Sequence, residues 1–145
     1  MRSTPPVRSS VPDQSEETFV VDASVVVDLF SGLELAHAAR DALYGRQLIA
    51  PAHLDAEVLS AFGRLQRAEV MSVDRVTSRL AEFAAAPIER QPIAGLLAGA
   101  WQRRHAYSLS DALYVELAEQ SGARLLTTDR RLARRYAGAE AVRTG

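Results

Sequence analysis

The sequence predicts an α/β domain built on a parallel sheet. Two observations carry this. Short β-branched, apolar runs alternate with longer stretches of helical period, and such runs suit strands covered on both faces. Asp, Ser, Gly and Pro punctuate the segments where helices would start and strands would stop.

Thr18-Phe19-Val20-Val21 is the first strand. The valine run after it could continue the strand, but a turn at Asp22 into a short helix ending near Gly32 is preferred, since Asp and Ser cap helices well. Leu33 to Tyr44 reads as a helix closed by Gly45, and Leu48-Ile49-Ala50 as a second strand stopped by Pro51. From His53 to Arg67, Leu54, Val58, Phe62 and Leu65 recur at helical spacing. A further helix covers Val73 to Ala85, a strand Ile88 to Gln91, and another helix Ile93 to Arg104. Ser110 is expected to cap a helix from Asp111 to Gln120, with Gly122 as its stop. Arg124 to Thr127 is a strand leading to Asp129, followed by a short basic helix, and Ala141-Val142-Arg143 is a last edge strand. No repeat or linker divides this stretch, so residues 18–145 form one domain behind a disordered leader, 1–17.

Composition narrows the chemistry. The chain has 145 residues, enough for one packed core, and no cysteine, which excludes a thiolate zinc site and a cysteine nucleophile. That absence fits the reducing cytoplasm, the expected location. All 17 basic residues are arginine, so a mechanism that needs a lysine is excluded, and the net charge of -1 does not by itself mark a nucleic-acid binder. No apolar run approaches the roughly 18–20 residues of a membrane span.

Sites in open α/β sheets lie beyond the carboxyl ends of the strands. Asp22 and Asp129 stand there, although each is also a plausible helix N-cap. Asp111 shares a helix side with Val115 and Ala118, while Glu116, Glu119 and Gln120 are expected to point away. An inward carboxylate needs a partner, although a helix-start acid is the competing explanation. Glu57 borders the apolar stripe of its helix, and Asp55, on the opposite edge, is the weaker candidate. Asp28 follows six residues after Asp22, either supporting the site or exposed. Carboxylates forced together repel unless a cation neutralises them, and hard oxygen ligands favour Mg²⁺ or Mn²⁺ over zinc. His37, His53 and His105 form no ligand motif.

Four ordered motifs resemble the PIN-domain ribonucleases, especially the VapC-type toxins of bacterial toxin–antitoxin pairs. They are Phe19 to Phe30 with Asp22, Pro51 to Phe62 with Glu57, Ser108 to Tyr114 with Asp111, and Leu125 to Ala133 with Asp129. The resemblance implies a three-layer α/β/α fold with a short central parallel sheet. It implies Asp22, Glu57 and Asp111 as core metal ligands, Asp129 as a fourth acting through water, and Ser24 and Thr127 as supporting residues. It further implies a Mg²⁺-dependent endoribonuclease, a homodimer, and inhibition by a cognate VapB-type antitoxin.

Arg130, Arg131, Arg134 and Arg135, beside Asp129, are candidate RNA contacts, with a solvated face or an antitoxin patch as the alternative. Rival readings lack their residues. A phospho-receiver domain wants paired acids after the first strand and a lysine, and a dinucleotide-binding fold wants a glycine-rich loop. The non-enzyme alternative is a catalytically silent PIN module that binds RNA or a protein partner.

Overall fold

The computed structural model describes residues 17–142 and Ser3. The expected leader therefore lies almost wholly outside the described residues. Five strands, β1 (Thr18–Val21), β2 (Gln47–Pro51), β3 (Ile88–Gln91), β4 (Arg124–Thr127) and β5 (Ala139–Ala141), form one sheet in the order β3-β2-β1-β4-β5. All four pairings are parallel, with Val20 opposite Ile49 on one side and Leu125 on the other.

Alternation along the strands sends successive side chains to opposite faces. Phe19, Val21, Ala50 and Leu126 pack on one face with Val25, Leu54, Val58 and Phe62. That face is covered by α1 (Ala23–Ser31), α2 (Ala36–Leu43), α3 (Leu54–Arg67) and α4 (Val73–Ala85). Val20, Ile49 and Leu125 pack on the other face with Tyr114, Val115 and Leu132. Here the cover comes from α6 (Leu109–Ser121) and α7 (Arg130–Arg135), with α5 (Leu97–Gln102) packed against α6. The result is the expected three-layer sandwich, apolar on both sheet faces because both are covered.

Some boundaries shift from the sequence expectation. The second helix starts at Ala36, because Leu33–Leu35 is spent on the turn after Gly32, whose φ of 69° is the left-handed conformation that ends α1. The segment after Ile93 begins as a 3-10 turn, Ala94–Leu96, before α5. The cap of α6 is Ser108, not Ser110: its hydroxyl accepts the Asp111 N–H at 3.2 Å, and the helix starts at Leu109. The edge strand lies two residues earlier than expected, at Ala139–Ala141, because Gly138 and Ala139 already align with Leu125. Arg143, the end of the expected strand, lies outside the described residues.

The chain runs β1 to β2 to β3 toward one edge, then returns to place β4 beside β1 on the other side. The strand order therefore reverses between β1 and β4. This is where open parallel sheets leave a crevice beyond the strand ends.

Candidate active site

Asp22 leaves the end of β1 and occupies the N-cap position of α1, yet its side chain makes no capping bond. Its Oδ2 instead accepts the Ser24 hydroxyl at 2.7 Å and the Thr127 hydroxyl at 2.8 Å. Each hydroxyl also accepts a backbone N–H from the β4–α7 connection, Ser24 from Thr128 and Thr127 from Asp129. The two hydroxyls thus tie the ends of β1 and β4 into one unit around a carboxylate that is only 6% exposed. Both bonds fall on Oδ2, which leaves Oδ1 without a hydrogen bond among the described residues.

Burial pushes the Asp22 pKa up from 3.8 to about 6. The Ser24 and Thr127 hydroxyls oppose that rise, while the Asp111 and Glu57 charges add to it. Asp111, half-buried in the first turn of α6, is also raised, first by burial and then by the Asp129 and Glu57 charges. Ser108 and Arg135 pull it the other way. These mutual effects place all four predicted acids in one electrostatic neighbourhood, drawn from four different elements.

Glu57 is held most firmly. Its Oε1 accepts the Tyr114 hydroxyl at 2.6 Å and its Oε2 the Ser110 hydroxyl at 2.8 Å, joining α3 to α6. His53 Nε2 lies 3.2 Å from Oε1 and 3.0 Å from Ser110 Oγ. Because Ser110 gives its proton to Glu57, Nε2 must carry the hydrogen that reaches both oxygens. The ring rests on Tyr114 at 4.9 Å between centroids, and its buried Nδ1 has no hydrogen-bond partner. Burial raises the Glu57 pKa, but bonds from His53, Tyr114 and Ser110 outweigh it and hold the carboxyl below its ordinary value. Asp55 is settled differently, since Arg90 pairs with it at 3.0 Å and fastens α3 to β3.

Asp129 does act as a cap. Its Oδ1 accepts the Arg131 and Leu132 N–H groups at 2.9 and 3.3 Å, which starts α7 beside the cleft. The capping explanation thus applies to Asp129, with Oδ2 left over, and not to Asp22.

A cleft of about 390 Å³ opens at Glu57 and Asp129, lined also by Ser24, Asp28, Arg64 and Thr128 among others, with Asp22 and Asp111 outside its lining. Asp28 is a wall residue with a pKa raised by burial and eased by Thr128. Arg64, two turns along α3 from Glu57, brings a guanidinium to the same cleft. Sequence reading missed His53, Ser110, Tyr114 and Arg64. The i,i+4 spacings His53–Glu57 and Ser110–Tyr114 were visible, but the approach of α3 to α6 that unites them was not. Glu116, expected to point away, instead pairs with Arg103 at 3.0 Å and packs over Gly99.

Among the described residues, no three acidic or histidine side chains stand close enough together to hold one ion between them. The donor chemistry suits a hard cation nonetheless. It is all carboxylate oxygen, two of the acids are raised above their ordinary pKa, and no arginine forms an ion pair with Asp22, Glu57, Asp111 or Asp129 among the described residues.

A family model for the PIN domain matches residues 19–138. The ribonuclease VapC3 of Mycobacterium tuberculosis is 49% identical over 132 residues, covering 90% of this chain and 96% of that one. Ribonuclease VapC12 of the same species is 32% identical over 117 residues, covering 81% and 91%. Among solved structures, the sarcin–ricin-loop-cleaving toxin VapC20 of M. tuberculosis superposes with a TM-score of 0.64 at 19% identity, over 87% of this chain and 99% of that one. A toxin–antitoxin complex from Klebsiella pneumoniae matches with a TM-score of 0.58 at 15% identity, over 86% and 98%. The chain belongs to the PIN-domain family, among its VapC-type ribonucleases.

Proposed function

We propose that the protein is a Mg²⁺- or Mn²⁺-dependent endoribonuclease toxin that hydrolyses RNA phosphodiester bonds and is neutralised by a cognate VapB-type antitoxin. The observation that carries this reading is the uncompensated acidic cluster. Four carboxylates from four elements gather around the β1–β4 crevice; hydroxyls orient Asp22 and Glu57, backbone N–H groups hold Asp129, and no arginine pairs with any of the four among the described residues. Kinship with ribonuclease VapC3 at 49% identity supports the RNA substrate.

Asp22, Glu57 and Asp111 are the core ligands in this reading, with Asp129 as a fourth acting through water. A divalent cation bound there supplies charge neutralisation and Lewis acidity for phosphodiester hydrolysis. Ser24 and Thr127 orient Asp22, and Ser110, Tyr114 and His53 orient Glu57. Arg64 and the arginines of α7 would draw the RNA backbone toward the acids. The antitoxin and a second copy of the chain are the proposed protein partners. Leu97 and Trp101, exposed one turn apart on α5, offer apolar surface for such contacts.

The test is cleavage of total cellular RNA during titration with Mg²⁺ and Mn²⁺, for the wild type and Asp111→Asn. Metal-dependent cutting by the wild type and its loss in the variant are expected. Full activity in excess chelator overturns the mechanism, and RNA binding without cutting would identify a silent PIN module.

A further inference from the structure

Next to the acidic cleft lies a second cavity of about 470 Å³, lined by Leu35, Thr128, Arg130, Ala133, Arg134 and Val142 among others. Thr128 lines both cavities, so the two are neighbours across one residue. Arg130 and Arg134 sit one turn apart on α7 and are exposed. Neither guanidinium makes a hydrogen bond or ion pair among the described residues. Arg135, by contrast, donates to the Ala106 carbonyl at 3.3 Å and Arg103 pairs with Glu116, while Arg131 is exposed but does not line the cavity. The four arginines read as one group in the sequence therefore separate in the structure, and only this pair lines the cavity.

An endonuclease substrate continues on both sides of the bond that is cut. A strand laid over the acids must leave the cleft, and the Thr128 side leads into a space with two free cations and an apolar wall. We propose that this cavity is a subsite for a nucleotide of single-stranded RNA flanking the scissile phosphate. Arg130 and Arg134 hold its phosphate oxygens, a task suited to guanidinium forks, and Leu35, Ala133 and Val142 meet its base. The apolar wall offers contact area without reading a base edge, so the subsite contributes affinity more than sequence choice. This inference rests on the endoribonuclease reading above.

The probe is a fluorescein-labelled, random-sequence decaribonucleotide pool. Binding is followed by anisotropy to the Asp22→Asn protein between roughly 50 and 200 mM KCl, a range where phosphate contacts dominate affinity. Adding Arg130→Gln and Arg134→Gln should flatten the slope of log K against log salt by about 1.4, two single-strand phosphate contacts, or about sevenfold less affinity lost across that range. Arg79→Gln with Arg124→Gln removes the same charge at distant, ion-paired positions and should leave the slope at the parent value. An unchanged slope in the Arg130/Arg134 variant, or an equal drop in the control pair, overturns the subsite even when the wild type cuts RNA normally. If the Arg130/Arg134 variant instead binds RNA like the parent but loses an antitoxin held by the wild type, the cavity belongs to that protein partner and the RNA subsite is overturned. A wild type that never cuts RNA, with the slope effect intact, overturns the nuclease reading and leaves the RNA site standing.

Discussion

Replacing Asp22 by Asn removes a charge from a buried position while keeping the side chain's shape. An Asn oxygen can still accept from Ser24 and Thr127, as Oδ2 does now at 2.7 and 2.8 Å. The carboxyl pKa in the fold is raised from 3.8 to about 6, chiefly by burial. At 1.36 kcal/mol per unit, ionised Asp22 destabilises the metal-free fold by about 3 kcal/mol. Burying the neutral amide costs part of that back, so the net gain for Asp22→Asn is about 2 kcal/mol, or about 6 °C in Tm for a domain of this size.

The sign follows from linkage. The folded carboxyl binds its proton more tightly than the unfolded one, so wild-type stability falls as pH rises from 3.8 to about 6. The gap between variant and wild type should therefore be small below about pH 4, widen up to about 6 and stay constant above. Millimolar Mg²⁺ should narrow the gap at neutral pH by stabilising the folded wild type. Thermal melts of both proteins, with chelator and with Mg²⁺ at pH 4 and 7.5, measure all of this. A variant that melts lower than wild type at pH 7.5 in chelator, or a gap that ignores pH, would refute the idea of an uncompensated buried charge.

Three further changes probe other parts of the site. Tyr114→Phe deletes the 2.6 Å donor to Glu57 and should cost about 1–2 kcal/mol of stability and about tenfold in kcat with KM kept; unchanged kcat in steady-state cleavage would show that Glu57 needs no such harness. Asp129→Asn keeps an oxygen able to cap α7, so it should melt within about 1 kcal/mol of wild type and lose less cleavage than Asp22→Asn. Gly99→Ala forces a methyl into the Glu116 carboxyl group, held by Arg103 and Gln120, and should lower stability by about 1 kcal/mol despite the better helix propensity of Ala; a higher Tm would mean that Glu116 moves aside freely.

Most of the architecture was legible in residue order, because the strands are short, apolar runs bounded by clear stops. Val73–Ala85 and Arg124–Thr127 match their expected limits. The misplacements concern competition between neighbouring groups of the same kind. Ser108 and Ser110 are both able to cap a helix, and only the side-chain bond to Glu57 across the strand ends commits Ser110 and leaves Ser108 for the cap. Glu57 and Asp55 likewise flank one apolar stripe, and sequence pattern alone does not say that Arg90 from β3 takes Asp55. Tyr114 is fully buried, and its hydroxyl acquires a role only where the Glu57 carboxyl meets it. Long-range partners of this sort depend on which helix faces which, and periodicity carries no information on that.

The supporting groups explain why the acids remain charged in prospect rather than neutralised in place. An arginine beside Asp22 would hold its pKa down and satisfy its oxygens, but it would also cancel the field that attracts a cation. Hydroxyls behave differently. Ser24 and Thr127 fix the carboxyl's direction with one hydrogen each and pass backbone N–H bonds from residues 128 and 129 through the same oxygens, yet contribute no charge. The same solution recurs at Glu57, where Ser110 and Tyr114 fix each oxygen from a neighbouring helix. Orientation is thereby separated from neutralisation. Folding sets the first, at the cost of raised pKa values on Asp22 and Asp111. In the proposed metal-dependent reading the second falls to an external cation, whose binding would relieve that cost, so that affinity for metal and instability without it would be two readings of one electrostatic strain.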